Sequence, residues 1–371
     1  MKVVVIGASG QLGTDLCKAL QNAEVIPVTH ADVEITSLDS LKEACRKYRP
    51  DVIINTAAYV RVDDCEDNRD KAFQVNALGA RNVAVVAQDL GAKLVHISTD
   101  YVFGGSSIPI VSPLAGEIER EGVNQSPNHV PSSLRGFPTE LGQRSNLLAN
   151  HTTAEASQGG KGTPSLSQSE KNSPSLSQRE VRRDFLSHSS PSPSGYTEFD
   201  PPSPLNVYGA SKLAGEDFVR HLCTRYFIVR GSGLFGTAGS SGKGGNFVET
   251  MIRLGKERSE LKVVNDQIFS PTYTADMANK IVQLIPTEYY GIFHVTNGGT
   301  CSWYEFTQEI IKLAGLPTKV IPITSDQYPQ KAKRPSYSVL DHYHLRLLGM
   351  DDMLSWQEAL KDYIQKKGYK R

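Results

Sequence analysis

The first hundred residues alternate short apolar runs, rich in Val and Ile, with segments of helical pattern. The runs at residues 3–6, 25–28, 52–55 and 94–98 are predicted strands, and helices are predicted from the first turn to about residue 20, at 38–48 and at 75–90. Parallel strands need crossover connections, which helices of this length supply. The alternation therefore predicts an α/β fold with a doubly wound parallel sheet and helices on both of its faces.

A glycine-rich turn, Gly7-Ala-Ser-Gly10-Gln-Leu-Gly13, lies between the first strand and the first helix. We expect Gly7 to permit the tight turn, Gly10 to let the backbone approach a pyrophosphate, and Gly13 to allow close packing of helix on strand. The N–H groups at the start of the helix attract phosphate oxygens. In this strand–turn–helix context, the motif predicts a dinucleotide site of the Rossmann type.

The residues that end the second strand should select between NADH and NADPH. An acidic side chain there binds the adenosine ribose hydroxyls, whereas a basic one accepts a 2′-phosphate. The sequence has Thr29, His30, Ala31 and Asp32, followed by Glu34, so neither signal dominates. Both cofactors remain compatible with the sequence.

A tyrosine and a lysine four residues apart, Tyr208 and Lys212, share one face of a predicted helix. A neighbouring ammonium favours the phenolate, so we expect the lysine to lower the pKa of the tyrosine. A hydroxyl donor, Thr99, ends the fourth strand, at the edge where open parallel sheets bind their ligands. Together with the glycine turn, these side chains predict proton donation to a carbonyl oxygen as hydride reaches its carbon.

Residues 106–195 differ in composition from the rest of the chain: these 90 residues contain 19 Ser, 9 Pro, two Phe, and neither Trp nor Tyr. So little apolar surface cannot offset an ordering entropy of roughly 1–2 kcal/mol per residue, which predicts a long disordered insertion. Residues 1–105 and 196–235 then form the dinucleotide-binding domain, and 236–371 mainly a smaller C-terminal α/β substrate-binding domain. Further expected elements are a helix at 211–226, a strand at 227–230, and helices at 303–314 and 356–366.

The charge of the chain is balanced, with 40 basic and 40 acidic residues. Without a positive excess, neither a nucleic acid nor an anionic membrane is expected as the main partner. Five scattered cysteines without a CxxC pair predict neither a disulfide framework nor a metal site. No apolar stretch reaches the roughly 18–20 residues of a membrane span, and no signal-peptide pattern follows Met1. We therefore expect a soluble, cytoplasmic protein.

Several longer strings are specific rather than generic. They lie at residues 55–63 (NTAAYVRVD), 75–77 (VNA), 96–103 (HISTDYVF), 204–216 (PLNVYGASKLAGE), 245–248 (GNFV), 265–267 (NDQ), 271–272 (PT) and 333–335 (KRP). These strings resemble the dTDP-4-dehydrorhamnose reductase family of the extended short-chain dehydrogenase/reductase superfamily, over essentially the whole chain except the insertion. The resemblance implies that NADH or NADPH reduces the 4-keto group of dTDP-6-deoxy-L-lyxo-4-hexulose, giving dTDP-L-rhamnose.

The resemblance also implies site residues. The catalytic set would be Thr99, Tyr208 and Lys212, with Lys212 also holding the nicotinamide ribose. Asp100 would join Thr99 at the sugar, and Arg334 would bind the diphosphate, because a guanidinium fork suits phosphate geometry. The cofactor would lie along Gly7, Gly10, Gln11, Leu12, Gly13, Glu34, Ile35, Ala57, Ala58, Tyr59, Tyr208 and Lys212.

Two departures from the family stand out: the insertion interrupts a loop that the family keeps short, and Arg230-Gly-Ser-Gly233 lacks a tryptophan that the family often has near the sugar. Two alternatives stay open. One is another reductase or epimerase of nucleotide sugars; the other is a non-catalytic, cofactor-binding regulatory subunit resembling the β subunit of methionine adenosyltransferase. The presence of all three predicted catalytic residues favours an enzyme. The expected partner is a dTDP-sugar, and a homodimer is left open.

Overall fold

The computed structural model describes residues 1–105, 195–238 and 245–369, so the predicted insertion lies almost wholly outside the described residues. The strands are β1 (Lys2–Ile6), β2 (Glu24–Val28), β3 (Val52–Asn55), β4 (Lys93–Thr99), β5 (Tyr226–Gly231), β6 (Leu234–Phe235), β7 (Glu260–Val264), β8 (Ile268–Phe269), β9 (Thr272–Tyr273), β10 (Gly291–His294), β11 (Cys301–Ser302) and β12 (Lys319–Ile323). The α-helices are α1 (Gln11–Ala19), α2 (Leu38–Tyr48), α3 (Val62–Asp67), α4 (Arg69–Phe73), α5 (Ala80–Leu90), α6 (Val207–Leu222), α7 (Phe247–Glu257), α8 (Thr274–Leu284), α9 (Trp303–Leu313), α10 (Tyr343–Leu347) and α11 (Trp356–Lys366).

Six parallel strands form one sheet in the order β10-β5-β4-β3-β1-β2. The strand order reverses between β1 and β3, and open α/β sheets bind ligands in the crevice outside such a reversal. The glycine turn follows β1 at this point, and Thr56 follows β3. The doubly wound Rossmann-type sheet predicted from the sequence is therefore confirmed.

Alternate residues of the central strands face helices on opposite sides of the sheet. In β1, Val3 and Val5 pack against α1 and α8, whereas Val4 and Ile6 pack against α2 and α5. Each fully buried Val or Ile side chain contributes roughly 1.5–3 kcal/mol relative to an exposed one. Burial on both faces explains why these strands read as continuous apolar runs rather than as alternating ones.

The remaining part of the chain packs around an aromatic core. Phe235, Tyr273, Phe306, Trp356 and Tyr363 are all buried there, between α7, α9, α11 and the β6–β9 and β8–β11 pairings. The chain also returns to the large sheet, because β10 pairs with β5 and α8 packs beside α1. The domain limits remain a prediction. Residues 274–294, which the prediction assigns to the substrate-binding domain, pack in the structure against β5 and α1 of the predicted dinucleotide-binding domain. No helix among the described residues is long and apolar enough to span a membrane.

The helix that carries Tyr208 and Lys212 differs from its predicted limits of 211–226. It begins at Val207 because the Asn206 side chain accepts a hydrogen bond from the Gly209 N–H, and a Glu66 carboxylate oxygen accepts one from the Val207 N–H. Such caps satisfy N–H groups that have no partner within the helix. The helix ends at Leu222, and the residues assigned to its last turn lead into β5 instead.

The predicted helix at 75–90 is also interrupted. Residues Gln74–Gly79 form a π-helical turn before α5 begins at Ala80. Within this turn, the buried Asn76 amide donates to the Ser211 hydroxyl of α6 at 3.0 Å. The turn therefore joins the helix before β4 to the helix that carries the predicted catalytic pair.

Candidate active site

One cavity of about 1640 Å³ opens along the carboxyl edge of the sheet. Its volume exceeds the roughly 300–1,000 Å³ of a site for one small ligand, so it has room for a dinucleotide and a second molecule. The cavity brings together fourteen of the fifteen predicted site residues: Gly7, Gly10, Gln11, Leu12, Gly13, Glu34, Ile35, Ala57, Ala58, Thr99, Asp100, Tyr208, Lys212 and Arg334. Tyr59 is not part of the lining; its backbone N–H and C=O are both held by the Asn76 side chain.

The glycine turn has a shape that only glycine allows at two of its three positions. Gly7 has a φ of +79°, and a Cβ there would lie 2.5 Å from the Thr56 hydroxyl oxygen. A Cβ at Gly13 would lie 2.3 Å from the Gly7 carbonyl oxygen. Gly10 is different: its backbone is extended, and a Cβ would approach only the Gly7 carbonyl oxygen, at 3.2 Å. A Cβ at Gly10 would therefore require its neighbour to shift by only a few tenths of an ångström, and a pyrophosphate is predicted to come close to the backbone at this position.

The N-terminus of α1 is suited to an anion. No side chain caps it, and its first turn has no acidic residue. The free N–H groups and the partial positive charge of the helix therefore remain available to phosphate oxygens. The glycine turn and α1 together fit the pyrophosphate of a dinucleotide.

Two alanine substitutions should separate packing from cofactor binding in this turn. Gly13→Ala forces a backbone clash, so we expect a loss of roughly 1–3 kcal/mol and a clear fall in Tm. Gly10→Ala should fold with a Tm close to that of the parent but bind NADP about tenfold more weakly, because its methyl group occupies the phosphate side. Thermal melts and cofactor titrations measure both effects. A Gly10→Ala variant that binds NADP normally would contradict this placement of the pyrophosphate.

The loop that follows β2, at one end of the cavity, carries two carboxylates and an imidazole. Asp32 accepts hydrogen bonds from the Thr29 N–H and hydroxyl, and Glu34 accepts the equivalent pair from Thr36. These hydrogen bonds lower the pKa of both carboxyl groups and turn them towards their own loop. His30 is largely exposed, with its Nδ1 3.5 Å from a Glu34 carboxylate oxygen. Neither an acidic nor a basic residue dominates this corner.

The predicted catalytic residues meet where β4 ends. Tyr208 and Lys212 lie one turn apart on α6, and the Tyr208 phenol lies beside the Thr99 hydroxyl. Lys212 is buried, and its ammonium donates to the Ile97 carbonyl oxygen at 2.6 Å. The parallel pairing of β4 with β5 and the packing of α6 on β4 hold all three side chains against one wall of the cavity.

The expectation of a lowered tyrosine pKa is wrong for the protein by itself. Burial raises the pKa of Tyr208 well above its ordinary value, and the neighbouring Thr99 hydroxyl opposes this only in part. The Lys212 ammonium is directed to Ile97 and does not offset the desolvation. Burial also lowers the pKa of Lys212 to about 8, although the Glu216 carboxylate acts in the opposite direction. Tyr208 is therefore held in its protonated form.

Asp100 lies directly behind Thr99, and burial raises its pKa. It accepts hydrogen bonds from three hydroxyls: Thr99 at 3.0 Å, Ser232 at 2.7 Å and Ser338 at 2.7 Å. The carboxyl group is therefore already engaged with the protein, and it orients the Thr99 hydroxyl. Its predicted contact with a sugar remains a prediction.

An aromatic wall on the far side of the cavity was not anticipated from the sequence. Phe269 and Trp303 stack with ring centroids 3.9 Å apart, and Phe247 lies 4.5 Å from Trp303. The string Arg230-Gly-Ser-Gly233, which lacks the tryptophan often found in the family, ends beside this wall. A Cβ at Gly233 would come within 2.3 Å of the Phe269 ring. Phe269 therefore fills the space beside that string. In the sequence, Trp303 stands out only because tryptophan is rare in this chain. The aromatic residues that it contacts, Phe247 and Phe269, lie far from it along the chain.

The family of the chain can now be identified. The sequence model described as RmlD substrate binding domain matches residues 1–119 and 188–368 and omits 120–187, which fall within the predicted insertion. Spore coat polysaccharide biosynthesis protein SpsK of Bacillus subtilis is 34% identical over 368 residues, which cover 99% of this chain and 98% of that protein.

Two solved structures are similar along nearly their whole length. The dTDP-4-dehydrorhamnose reductase of Bacillus anthracis, in complex with NADP, has 36% identity and a TM-score of 0.73, covering 98% of this chain and 99% of that one. The dTDP-4-dehydrorhamnose reductase orthologue of Clostridium acetobutylicum has 35% identity and a TM-score of 0.73, covering 99% of each chain. The sheet, the cavity and these matches agree: the chain belongs to the RmlD substrate binding domain family, which includes the dTDP-4-dehydrorhamnose reductases.

Proposed function

We propose that the protein uses NADPH or NADH to reduce the 4-keto group of a dTDP-linked 6-deoxyhexulose, giving dTDP-L-rhamnose. The observation that carries this proposal is the meeting of Tyr208, Thr99 and Lys212 in the cavity that also contains the glycine turn. The names of the two similar solved structures support the substrate class, and the NADP bound to one of them supports the cofactor.

The residues of the chain divide the reaction between them. The glycine turn, Ala57, Ala58 and Lys212 would hold the cofactor, which would supply the hydride when bound. Tyr208 gives its phenolic proton to the oxygen of the substrate carbonyl. This role requires a protonated phenol, and the buried environment of Tyr208 keeps it protonated. Thr99 turns its hydroxyl from Asp100 to the same oxygen and stabilises the negative charge that develops there.

Lys212 contributes through its charge. Its ammonium is fixed by the Ile97 carbonyl oxygen one helical turn from Tyr208, so it stabilises the phenolate that remains after proton transfer. This role needs a protonated lysine, and Glu216 helps to maintain one in a buried position. The three side chains thus act as donor, hydrogen-bond partner and counter-charge.

One of the two alternative functions would leave part of this arrangement without a purpose. A regulatory subunit like the methionine adenosyltransferase β subunit has no need for a buried proton donor beside a strand-end hydroxyl. An epimerase or another nucleotide-sugar reductase would use the same three residues, and differs only in the sugar atom that faces the cofactor. The choice among sugars therefore rests on the family and on direct assay.

The proposal is tested by following cofactor oxidation at 340 nm with the dTDP-4-keto sugar. We expect turnover with this substrate, none with dTDP-glucose, which has no keto group, and dTDP-L-rhamnose as the product by NMR. Turnover only with a different keto-sugar nucleotide would replace the substrate assignment. Inactivity with every keto sugar, together with capture of a methionine adenosyltransferase, would favour the regulatory subunit.

A further inference from the structure

Asn246 belongs to the string Gly245-Asn-Phe-Val248, which the proposed reaction does not use. Its side chain is buried, lines the cavity and caps α7, where its Oδ1 accepts a hydrogen bond from the Glu249 N–H at 2.9 Å. A backbone N–H can only donate, so this contact assigns the amide oxygen to the cap and the NH2 group to the opposite side. The Asn246 amide therefore has one fixed orientation.

The Asn246 NH2 group lies where three other segments meet. It donates to the Gly236 carbonyl oxygen at 2.9 Å, to the Tyr363 hydroxyl oxygen at 3.2 Å and to the Gln11 Oε1 at 3.3 Å. Two N–H groups serve these three acceptors, so one of them is shared. Tyr363 gives its own proton to a Glu249 carboxylate oxygen, and its hydroxyl is therefore an acceptor for Asn246. The cap, Gly236 and Tyr363 hold Asn246 in place, and Asn246 in turn contacts Gln11.

Gln11 lines the cavity as the first residue of α1, at the end of the helix where the pyrophosphate of the cofactor is predicted to bind. Its amide has two unlike ends: the NH2 group attracts a phosphate oxygen, whereas Oε1 repels it. Because Asn246 meets Gln11 with an NH2 group, it takes the Gln11 oxygen and leaves the Gln11 NH2 group for another acceptor. Gly236 packs beside Gln11, since a Cβ at Gly236 would lie 3.3 Å from the Gln11 Cβ.

We propose that Asn246 is a positioning residue for the cofactor, which holds the Gln11 amide so that its NH2 group donates to the pyrophosphate of NADP. Asn246 lies 235 positions after Gln11, in the part of the chain that is predicted to bind substrate. Its role concerns the cofactor and not the sugar, so it is independent of the substrate of the proposed reaction. A hydrogen bond to a charged group contributes more than one between neutral groups, and its loss is therefore measurable.

Calorimetric titration of the full chain separates this role from a general loosening of the site. The two ligands are NADP and adenosine 2′-phosphate, which has the adenine, ribose and 2′-phosphate of NADP but no pyrophosphate. Asn246→Ser keeps an oxygen that can cap α7 and removes the NH2 group. We expect this variant to weaken NADP about tenfold and adenosine 2′-phosphate less than about twofold. Gln11→Met should give the same pattern, and the double variant should be no worse than either single one, because residues that act through one contact are not additive.

The matched control is Tyr363→Phe, which removes a hydroxyl beside Asn246 and leaves the contact with Gln11. Glu249 still has the Lys367 ammonium at 3.1 Å, so its carboxylate keeps a partner. The NADP affinity of this control should stay close to the parent value. In steady-state assays, Asn246→Ser should raise the KM for NADPH and change kcat little, because a pyrophosphate contact is present in the ground state and the transition state alike.

Four results would overturn the proposal: parent-like NADP affinity in Asn246→Ser, equal losses for the two ligands, additive losses in the double variant, or a loss in Tyr363→Phe as large as that in Asn246→Ser. The Tm of each variant reports whether the fold is intact. If Asn246→Ser folds poorly, Gln11→Met tests the same contact, since parent-like NADP affinity there would exclude a phosphate contact of the Gln11 amide. Failure of the proposed function shows separately, as a parent protein that binds NADP but does not turn over the keto sugar.

Discussion

Tyr208→Phe should lower kcat by roughly 10²-fold or more, which is the usual scale for the loss of a general acid. The variant removes one oxygen and keeps the ring, so the edge contact with Tyr101 and the packing of α6 are preserved. NADP affinity should therefore stay within a few fold of the parent value. Steady-state rates at 340 nm and a cofactor titration provide the two measurements.

The matched control for this variant is Tyr226→Phe. Tyr226 begins β5 and is not part of the cavity lining, so the loss of its hydroxyl should not affect turnover. Equal turnover in Tyr208→Phe and in the parent would remove Tyr208 from the mechanism. A large loss of NADP affinity would instead show that its main contribution is to binding.

Lys212→Met should damage both steps, because the ammonium is needed beside Tyr208 and at the nicotinamide ribose. We expect a fall in kcat of roughly 10²-fold or more and clearly weaker binding of NADP. Rates and titrations report the two losses. If only turnover fell, the assignment of a ribose contact to Lys212 would be wrong.

The same variant has an opposite effect on stability. Burial lowers the pKa of Lys212 from 10.5 to about 8, so between these values the unfolded chain binds a proton that the folded chain lacks. The free energy of unfolding therefore increases as the pH rises through this window, because the buried charge is lost. At pH 7 the charge costs of the order of 3 kcal/mol, which methionine removes. We expect the Tm of Lys212→Met to be at least that of the parent at pH 7, with a smaller difference at pH 9.5. A lower Tm at pH 7 would contradict this account.

The fold could be predicted largely because its signals are local. The apolar runs, the glycine turn and the spacing of Tyr208 and Lys212 lie within short stretches of sequence, and each retains its meaning in the structure. The limits of α6 were less accurate, because its start depends on Glu66, a residue more than a hundred positions away. The π-helical turn at Gln74–Gly79 likewise has no local signal.

The electrostatics of the site were predicted least well, since they depend on burial. The sequence places a lysine four residues from Tyr208 but cannot show that its ammonium points to Ile97. It also indicates Arg334 as a cation near the substrate without revealing Asp63, which takes both ends of its fork. A charge can be identified from a sequence, but its free donors can be counted only once its partners are known.

The return of the chain to the large sheet limits how this protein can be divided. An N-terminal piece ending near residue 236 would leave β5 as a bare edge, with the N–H and C=O groups that β10 now satisfies open to other chains. It would also uncover the side of α1 that Met277 and Ile281 now protect. The part of the chain that is predicted to bind substrate is therefore a long excursion from a single folding unit and not a module that can be exchanged. Chimeras that exchange parts of this excursion should therefore leave α8 and β10 in place.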